Sequence, residues 1–334
     1  MISRKMLDDL RERVVAQKTG IFEVSSSSRS GEIALSGGNL VHAVSGKAEG
    51  EKALLRLLAT ADAKGSFVER DPPQARSITS ATSELLASSA IAMDELVELY
   101  ARFSTDAPLV AVDPGPPTVN LTRARPTEEL SVAARSLLHF LRSPIRVEEL
   151  LDADPGSDHE ILTALVELDK AGRVRALASA KHKVPLASAG DLARIERALE
   201  TRSAGFFGSR PRLVVAGAPH RLAVVAYCVS CFEGATPETA PSVPMPHIAA
   251  RFVAGRIDLD IVTCPLVPAY SPLWPMALAG AHAALRLDGA ARELFDRACA
   301  EAHVKTVDAW TVLPSHDDTN VEDVAALVRA ALSS

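Results

Sequence analysis

Thr19-Gly-Ile-Phe-Glu-Val24, Gly31-Glu-Ile-Ala-Leu-Ser-Gly-Gly-Asn-Leu-Val-His-Ala43, Gly50-Glu-Lys-Ala-Leu-Leu-Arg-Leu-Leu58 and Gly65-Ser-Phe-Val-Glu69 follow one another in a single stretch. The apolar runs are short, and glycines punctuate them. Gly37-Gly38-Asn39 reads as a tight turn, because Gly and Asn readily take positive φ. The spacing predicts strands over Ile21–Val24, Glu32–Leu35, Leu40–Val44 and residues 66–69. A helix over 50–59 turns Ala53, Leu54 and Leu57 inward.

On the N-terminal side, Met6, Leu7, Leu10 and Val14 recur at helical spacing and predict a helix over 2–17. On the other side, Asp71-Pro-Pro precedes a long helix over about 80–103. Its apolar positions are too many for one stripe. At about 100° per residue, Leu85, Leu96 and Leu99 share one face, and Leu86, Met93 and Val97 share a second. A second apolar face buries against another domain or another chain. Leu86, Met93 and Val97 are therefore the candidate interaction surface, with packing on the following helical unit as the alternative.

The patterns tG-x-[LIF]-x-V, G-x-I-x-[FL]-x-x-G-x-L-V-x-A, G-x-x-A-L-x-x-[LM]-L and G-x-F over residues 19–69 resemble the PATAN domain of bacterial regulators. The resemblance implies an α+β protein-docking module of signalling and motility proteins. It contains no catalytic group. It also implies protein partners: a response regulator, a small GTPase, a motility component or a second copy of the chain.

Residues 104–126, with Asp113-Pro-Gly-Pro-Pro117, read as a linker. Helices are then predicted over 128–141, after Pro144, and from a cap at Ser157 or Asp158 to Gly172, with a strand opening at Val174. This order over 127–178 resembles a winged-helix domain. Its reading helix displays Asp158, Glu160, Glu167 and Asp169 against Lys170, and 127–176 holds ten acidic and six basic residues. Phosphate would be repelled, so an architectural or docking role is expected over DNA readout.

A connecting helix is predicted over 188–203. Strand and helix then alternate to residue 334, with the last strand over Val304–Leu313, which predicts a mostly parallel sheet. Ala281-His-Ala-Ala-Leu-Arg-Leu-Asp288 and Leu313-Pro-Ser-His-Asp-Asp-Thr-Asn-Val-Glu-Asp-Val resemble the central strand and the last strand–loop–helix of Ras-like small GTPases. The resemblance implies a three-layer α/β domain over 209–334. A nucleotide site needs G-x-x-x-x-G-K-[ST], in which backbone N–H groups, an ammonium and a hydroxyl hold phosphate and Mg²⁺. Counting from Gly217, those positions are Leu222, Ala223 and Val224. Thr263-Cys-Pro-Leu and Leu287-Asp-Gly-Ala stand where the other nucleotide motifs belong. The expectation is a pseudo-GTPase with no cofactor.

Net charge is −6, with 47% hydrophobic and 4% aromatic residues. That balance fits a folded protein of two or three domains with aliphatic cores and no general affinity for nucleic acid. Met1-Ile-Ser-Arg-Lys-Met-Leu-Asp-Asp has no apolar signal core, and no apolar run suits a bilayer, so a cytoplasmic chain with reduced thiols is expected. Cys228-x-x-Cys231 has metal or redox spacing, and zinc would need His220 or Cys264 as well. Its apolar helix instead suggests buried thiols. His42 reads as a packed strand residue. Asp258 and Asp260 share a strand face, as a carboxylate pair for a metal or as a solvated edge. No catalytic triad or glutamate pair stands out. The reading is a non-enzymatic regulator or scaffold in bacterial signalling, polarity or motility. A divergent nucleotide switch and a transcriptional regulator are the alternatives.

Overall fold

The computed structural model describes residues 2–26, 29–60, 62–103, 107–112, 130–179, 183–203, 210–241, 243, 245–289, 291–314 and 316–333. The chain is mixed α/β and forms two compact units. One comprises Met1–Thr105, Asp113–Phe140 and Arg146–Val174, and the other comprises Asp106–Val112, Leu141–Ile145 and Arg175–Ser334. The sequence suggested separate domains over 1–103 and 127–178; the structure gathers most of both into the first unit.

The first unit begins with α1 (Ile2–Val15), β1 (Gly20–Ser25), β2 (Ser30–Ser36), β3 (Asn39–Ser45), β4 (Ala48–Glu49), α2 (Gly50–Leu58), β5 (Lys64–Val68) and α3 (Thr82–Arg102). The strands form an antiparallel sheet in the order β4-β3-β2-β1-β5. Gly37 and Gly38 have φ of 56° and 79°, which lets the β2–β3 turn close within two residues. At Gly65 a Cβ would lie 2.1 Å from Phe22 Cε1, so only glycine lets that ring lie across β5. Ala53, Leu54 and Leu57 of α2 are fully covered, as are Leu10, Ile33 and Leu35.

β6 (Leu109–Ala111) belongs to the second unit and lies within the expected linker, which is thus structured there. The remaining linker positions, 104–106 and 113–126, fall outside the described residues. α4 (Val132–Phe140), α5 (Val147–Ala153) and α6 (Asp158–Lys170) return to the first unit, and β7 (Val174–Ala176) pairs with β6. Ser157 caps α6: its hydroxyl accepts from the Glu160 N–H, while Glu160 reaches back to the Ser157 N–H.

α3 touches α1, α2 and α6. Leu86 and Met93 are 5% and 2% exposed, and Val97 is half-buried. Leu86 and Met93 of the second apolar stripe are therefore covered, and the interaction surface expected there is not an open one. Packing on the following helical unit was the alternative, and α3 does touch α6 of that segment.

The second unit continues with α7 (Ala189–Ser203), β8 (Arg212–Gly217), α8 (Pro219–Ser230), β9 (Ala235–Pro237), β10 (His247–Ala254) and β11 (Ile257–Pro265). A 3₁₀ turn over Pro268–Leu273, α9 (Trp274–Leu278), β12 (Ala281–Arg286), α10 (Arg292–Glu301), β13 (Lys305–Asp308), α11 (Ala309–Val312) and α12 (Val321–Leu332) follow. The sheet order is β13-β12-β8-β11-β10-β9. β11, β8, β12 and β13 run parallel, while β10 and β9 add antiparallel strands at one edge. Alternate residues of β8 feed two cores. Leu213 and Val215 join residues of α8 and α12, and Val214 and Ala216 join Trp274 and Phe295 of α9 and α10.

The strand expected over Val304–Leu313 stops at Asp308. Its carboxylate accepts from the Trp310 N–H and starts α11, so the apolar residues after it lie on a helical turn.

Candidate functional site

In open α/β sheets, ligands collect beyond the carboxyl ends of the parallel strands. In the second unit these ends are Gly217 of β8, Leu287-Asp288 after β12, and Asp308 of β13. Asp288 Oδ2 accepts from the Ala218 N–H at 2.6 Å, at the head of α8, and a Cβ on Gly217 would lie 3.1 Å from that oxygen. The Leu287 N–H donates to Ala216, and the Leu266 N–H donates to Gly217. A carboxylate thus sits at the positive end of a helix, the place where a loop of this kind would seat phosphate. Pro219 removes another donor from the same turn.

Gly217 is buried at the end of β8. Leu222 and Val224 point into the core at 3% and 6% exposure, and Ala223 is half-buried. None of the three presents a polar side chain to the loop.

Arg221, one residue before them, was not singled out by the sequence. Its guanidinium donates to Asp318 and to the Leu287 carbonyl, and Nη2 lies 3.1 Å from Nε2 of His316. Trp310 donates Nε1–H to the same carbonyl at 3.1 Å, and its ring tilts against His316 with centroids 4.6 Å apart. Arg221, Trp310, His316 and Asp318 thereby fasten the loop before α12 to the head of α8. The signal was present in Ser-His-Asp-Asp-Thr-Asn, but its partner lies 95 residues earlier.

The cysteines are buried and free. Cys228 and Cys231 belong to one core, and Cys264 belongs to the core on the other face of the sheet. His220 is exposed. The sheet therefore keeps the proposed zinc ligands apart. Burial pushes the Cys228 and Cys231 thiols up, and Cys264 to about 12, away from thiolate chemistry.

Asp258 receives two bonds from Arg251, at 2.9 and 2.7 Å, with Arg210 at 3.2 Å. The bond from Arg251, chiefly, holds its carboxyl below the usual range. Arg210 also lies 3.9 Å from Asp260, which is 7% exposed, so Asp260 is not on a solvated edge. Guanidinium groups stand where a metal would be needed. Among the described residues no cluster of three or more His, Cys, Asp or Glu is arranged to hold a metal.

In the first unit, His42 is half-buried on β3 and meets the Ser77 hydroxyl at 2.7 Å through Nδ1. A larger assembly centres on Arg56 of α2. Nε and Nη2 fork onto Asp158 at 2.6 and 2.9 Å, and Nη1 meets Asp152 at 2.5 Å. The Tyr100 hydroxyl and the Lys52 ammonium also reach Asp158. Burial opposes the charge on Arg56, yet its carboxylate partners raise its pKa. Burial, reinforced by the Asp158 charge, raises the Tyr100 phenol. A cavity of about 220 Å³ adjoins this network, lined by Arg29, Ser30, Ser45, Glu148, Leu151 and Asp152. Arg29 lies 3.7 Å from Glu148 and 4.0 Å from the Tyr100 ring centroid. Each cation lining it faces a carboxylate.

These contacts correct the reading of α6 in part, because Glu160 and Asp169 are exposed as expected. Asp158 is 4% exposed rather than displayed. Glu160 caps its own helix, Glu167 accepts from the Ser131 N–H and hydroxyl, and Asp169 pairs with Arg102 of α3. The acidic side chains of this helix are committed within the unit.

No family of known proteins matches the chain, and neither does any curated protein or solved structure. Among the described residues no helix is long and apolar enough to cross a membrane.

Proposed function

We propose that this chain is a non-catalytic regulatory or scaffold protein that works through protein–protein contacts in bacterial signalling, polarity or motility. The observation that carries the reading is Asp288. Its carboxylate occupies the head of α8, so the chain supplies its own anion where a nucleotide phosphate would be received. Leu222, Ala223 and Val224 offer neither cation nor metal ligand.

The sheet order supports a GTPase-like domain. A parallel core carries an antiparallel hairpin at one edge, with the degenerate phosphate loop following the central strand β8. The antiparallel meander followed by α2 supports a PATAN-like docking module, and α4–α6 with β7 support a winged-helix-like element in an architectural role. Glu160 and Asp169, which stay exposed on α6, disfavour DNA. The partner is a protein: a response regulator, a small GTPase, a motility component or a second copy. The setting is the cytoplasm.

Calorimetric titration of the full chain with GTP and with GDP, each with Mg²⁺, tests the central claim. No heat of binding is expected at micromolar protein. Sub-micromolar affinity for either nucleotide overturns the reading and favours a switch.

A further inference from the structure

His316 lies in the loop between α11 and α12, with its side chain fully covered. Nδ1 is 2.7 Å from the Leu313 carbonyl oxygen, which can only accept, so Nδ1 carries a proton. Nε2 is 3.1 Å from Nη2 of Arg221, which can only donate. The same Nε2 is 3.3 Å from Asp318 Oδ1, a buried oxygen with no hydrogen-bond donor. A lone pair on Nε2 satisfies Arg221 and leaves Oδ1 unpartnered. A proton on Nε2 satisfies Oδ1 and deprives Arg221 of an acceptor.

We propose that His316 is a proton-operated latch that chooses between Arg221 on α8 and Asp318 on its own loop, and so sets how firmly the strand-end loop is fastened to the head of α8. In the neutral form the imidazole ties the loop to Arg221. In the imidazolium form it pairs with Asp318 and repels Arg221, which keeps the other Asp318 oxygen and the Leu287 carbonyl. The surrounding groups support both states. From α8 come Arg221 and Cys228, whose thiol donates to the Asp318 carbonyl. From α11 comes the Trp310 ring. From α12 comes Asp323, which accepts from the Asp317 N–H. On the loop itself, Asp317 is paired with Arg175 and Thr319. The Leu287 carbonyl and Asp288 lie at the end of β12. Repulsion from Arg221 is opposed by Asp318, whose Oδ1 lies 3.3 Å from the same nitrogen.

Trp310 reports on it, being half exposed, against His316, and tied to the Leu287 carbonyl that Arg221 also holds. The other tryptophan, Trp274, is buried in the opposite core and serves as a constant background. Tryptophan emission of the full chain is followed from pH 5 to 8, with circular dichroism as the folding control. A single transition is expected in the native chain and is expected to vanish in Trp310→Phe and in His316→Gln. A transition that survives either substitution, or is missing from the native chain, overturns the proposal. Nitrogen-15 spectra of the histidine side chains test it without depending on the stability of a variant. At pH 8 His316 is expected as the Nδ1–H tautomer, and at pH 5 with both nitrogens protonated. An Nε2–H tautomer at high pH, or no change between the two, overturns it.

Discussion

Arg56 holds two carboxylates, Asp158 and Asp152, and the Tyr100 hydroxyl donates to the first of them. Substituting Arg56 by Leu leaves Asp158 buried without its forked partner. We expect a loss of about 3–5 kcal/mol in urea unfolding, as for other broken buried pairs. Arg56→Lys keeps the charge and forfeits the fork, so it should fall between the two. A loss below about 1 kcal/mol for Arg56→Leu would mean that the network contributes little. Nothing in the local sequence points to this role. On α2 an arginine between leucines reads as the solvent side of an amphipathic helix, and its partners lie 96 and 102 positions away. Asp158 misled for the complementary reason: an acidic residue in the first turn of a helix usually faces water and the helix dipole.

At the scale of elements, turns were the most legible feature. Gly37-Gly38 fixed the β2–β3 hairpin, and Ala53, Leu54 and Leu57 lie on the buried side of α2 as their spacing required. β10 was missed because its register with β11 shifts between Ile248 and Ala250. The irregularity leaves Ala249 and Ala250 both buried in succession and erases the alternation that marks a strand. The second stripe of α3 was legible as apolar, but periodicity cannot say whether another molecule or the chain itself covers it. Met93→Ala should therefore act as a core truncation, costing about 2–5 kcal/mol in chemical unfolding. Light scattering should find its mass unchanged. A change of mass with unaltered stability would restore α3 as an interface. Ser157→Ala removes one side of the capping box on α6 and should cost about 0.5–2 kcal/mol.

For the whole molecule, the pH dependence follows from the carboxylates. Burial alone would raise Asp308 and Asp317, yet hydrogen bonds from Arg286 to the first and from Thr319 to the second leave both below the ordinary value. Asp258 is lowered by Arg251. Their unfolded forms therefore take up protons more readily than the folded ones. Stability from these groups is complete above the ordinary carboxylate range, near pH 4, and is lost as pH falls through their lower folded values. Urea midpoints measured from pH 6 down to 3 should fall, and Asp308→Asn should flatten part of the slope. A midpoint that rises on acidification contradicts this account. The apolar character of Leu222, Ala223 and Val224 was legible, because sequence patterns are local. Asp288, which follows another strand, was not legible as a partner of Ala218, because only the fold brings it to the head of α8.

The chain leaves the first unit after Thr105, re-enters at Asp113, leaves after Phe140, re-enters at Arg146 and leaves again after Val174. Neither unit is encoded by one uninterrupted stretch. A recombination event that excised residues 1–103, or grafted them elsewhere, would carry the meander without α5 and α6, and so without Asp152 and Asp158 for Arg56. Resemblance to separate modules thus does not confer the mobility of cassettes: in descent, these segments must be inherited together or rebuilt.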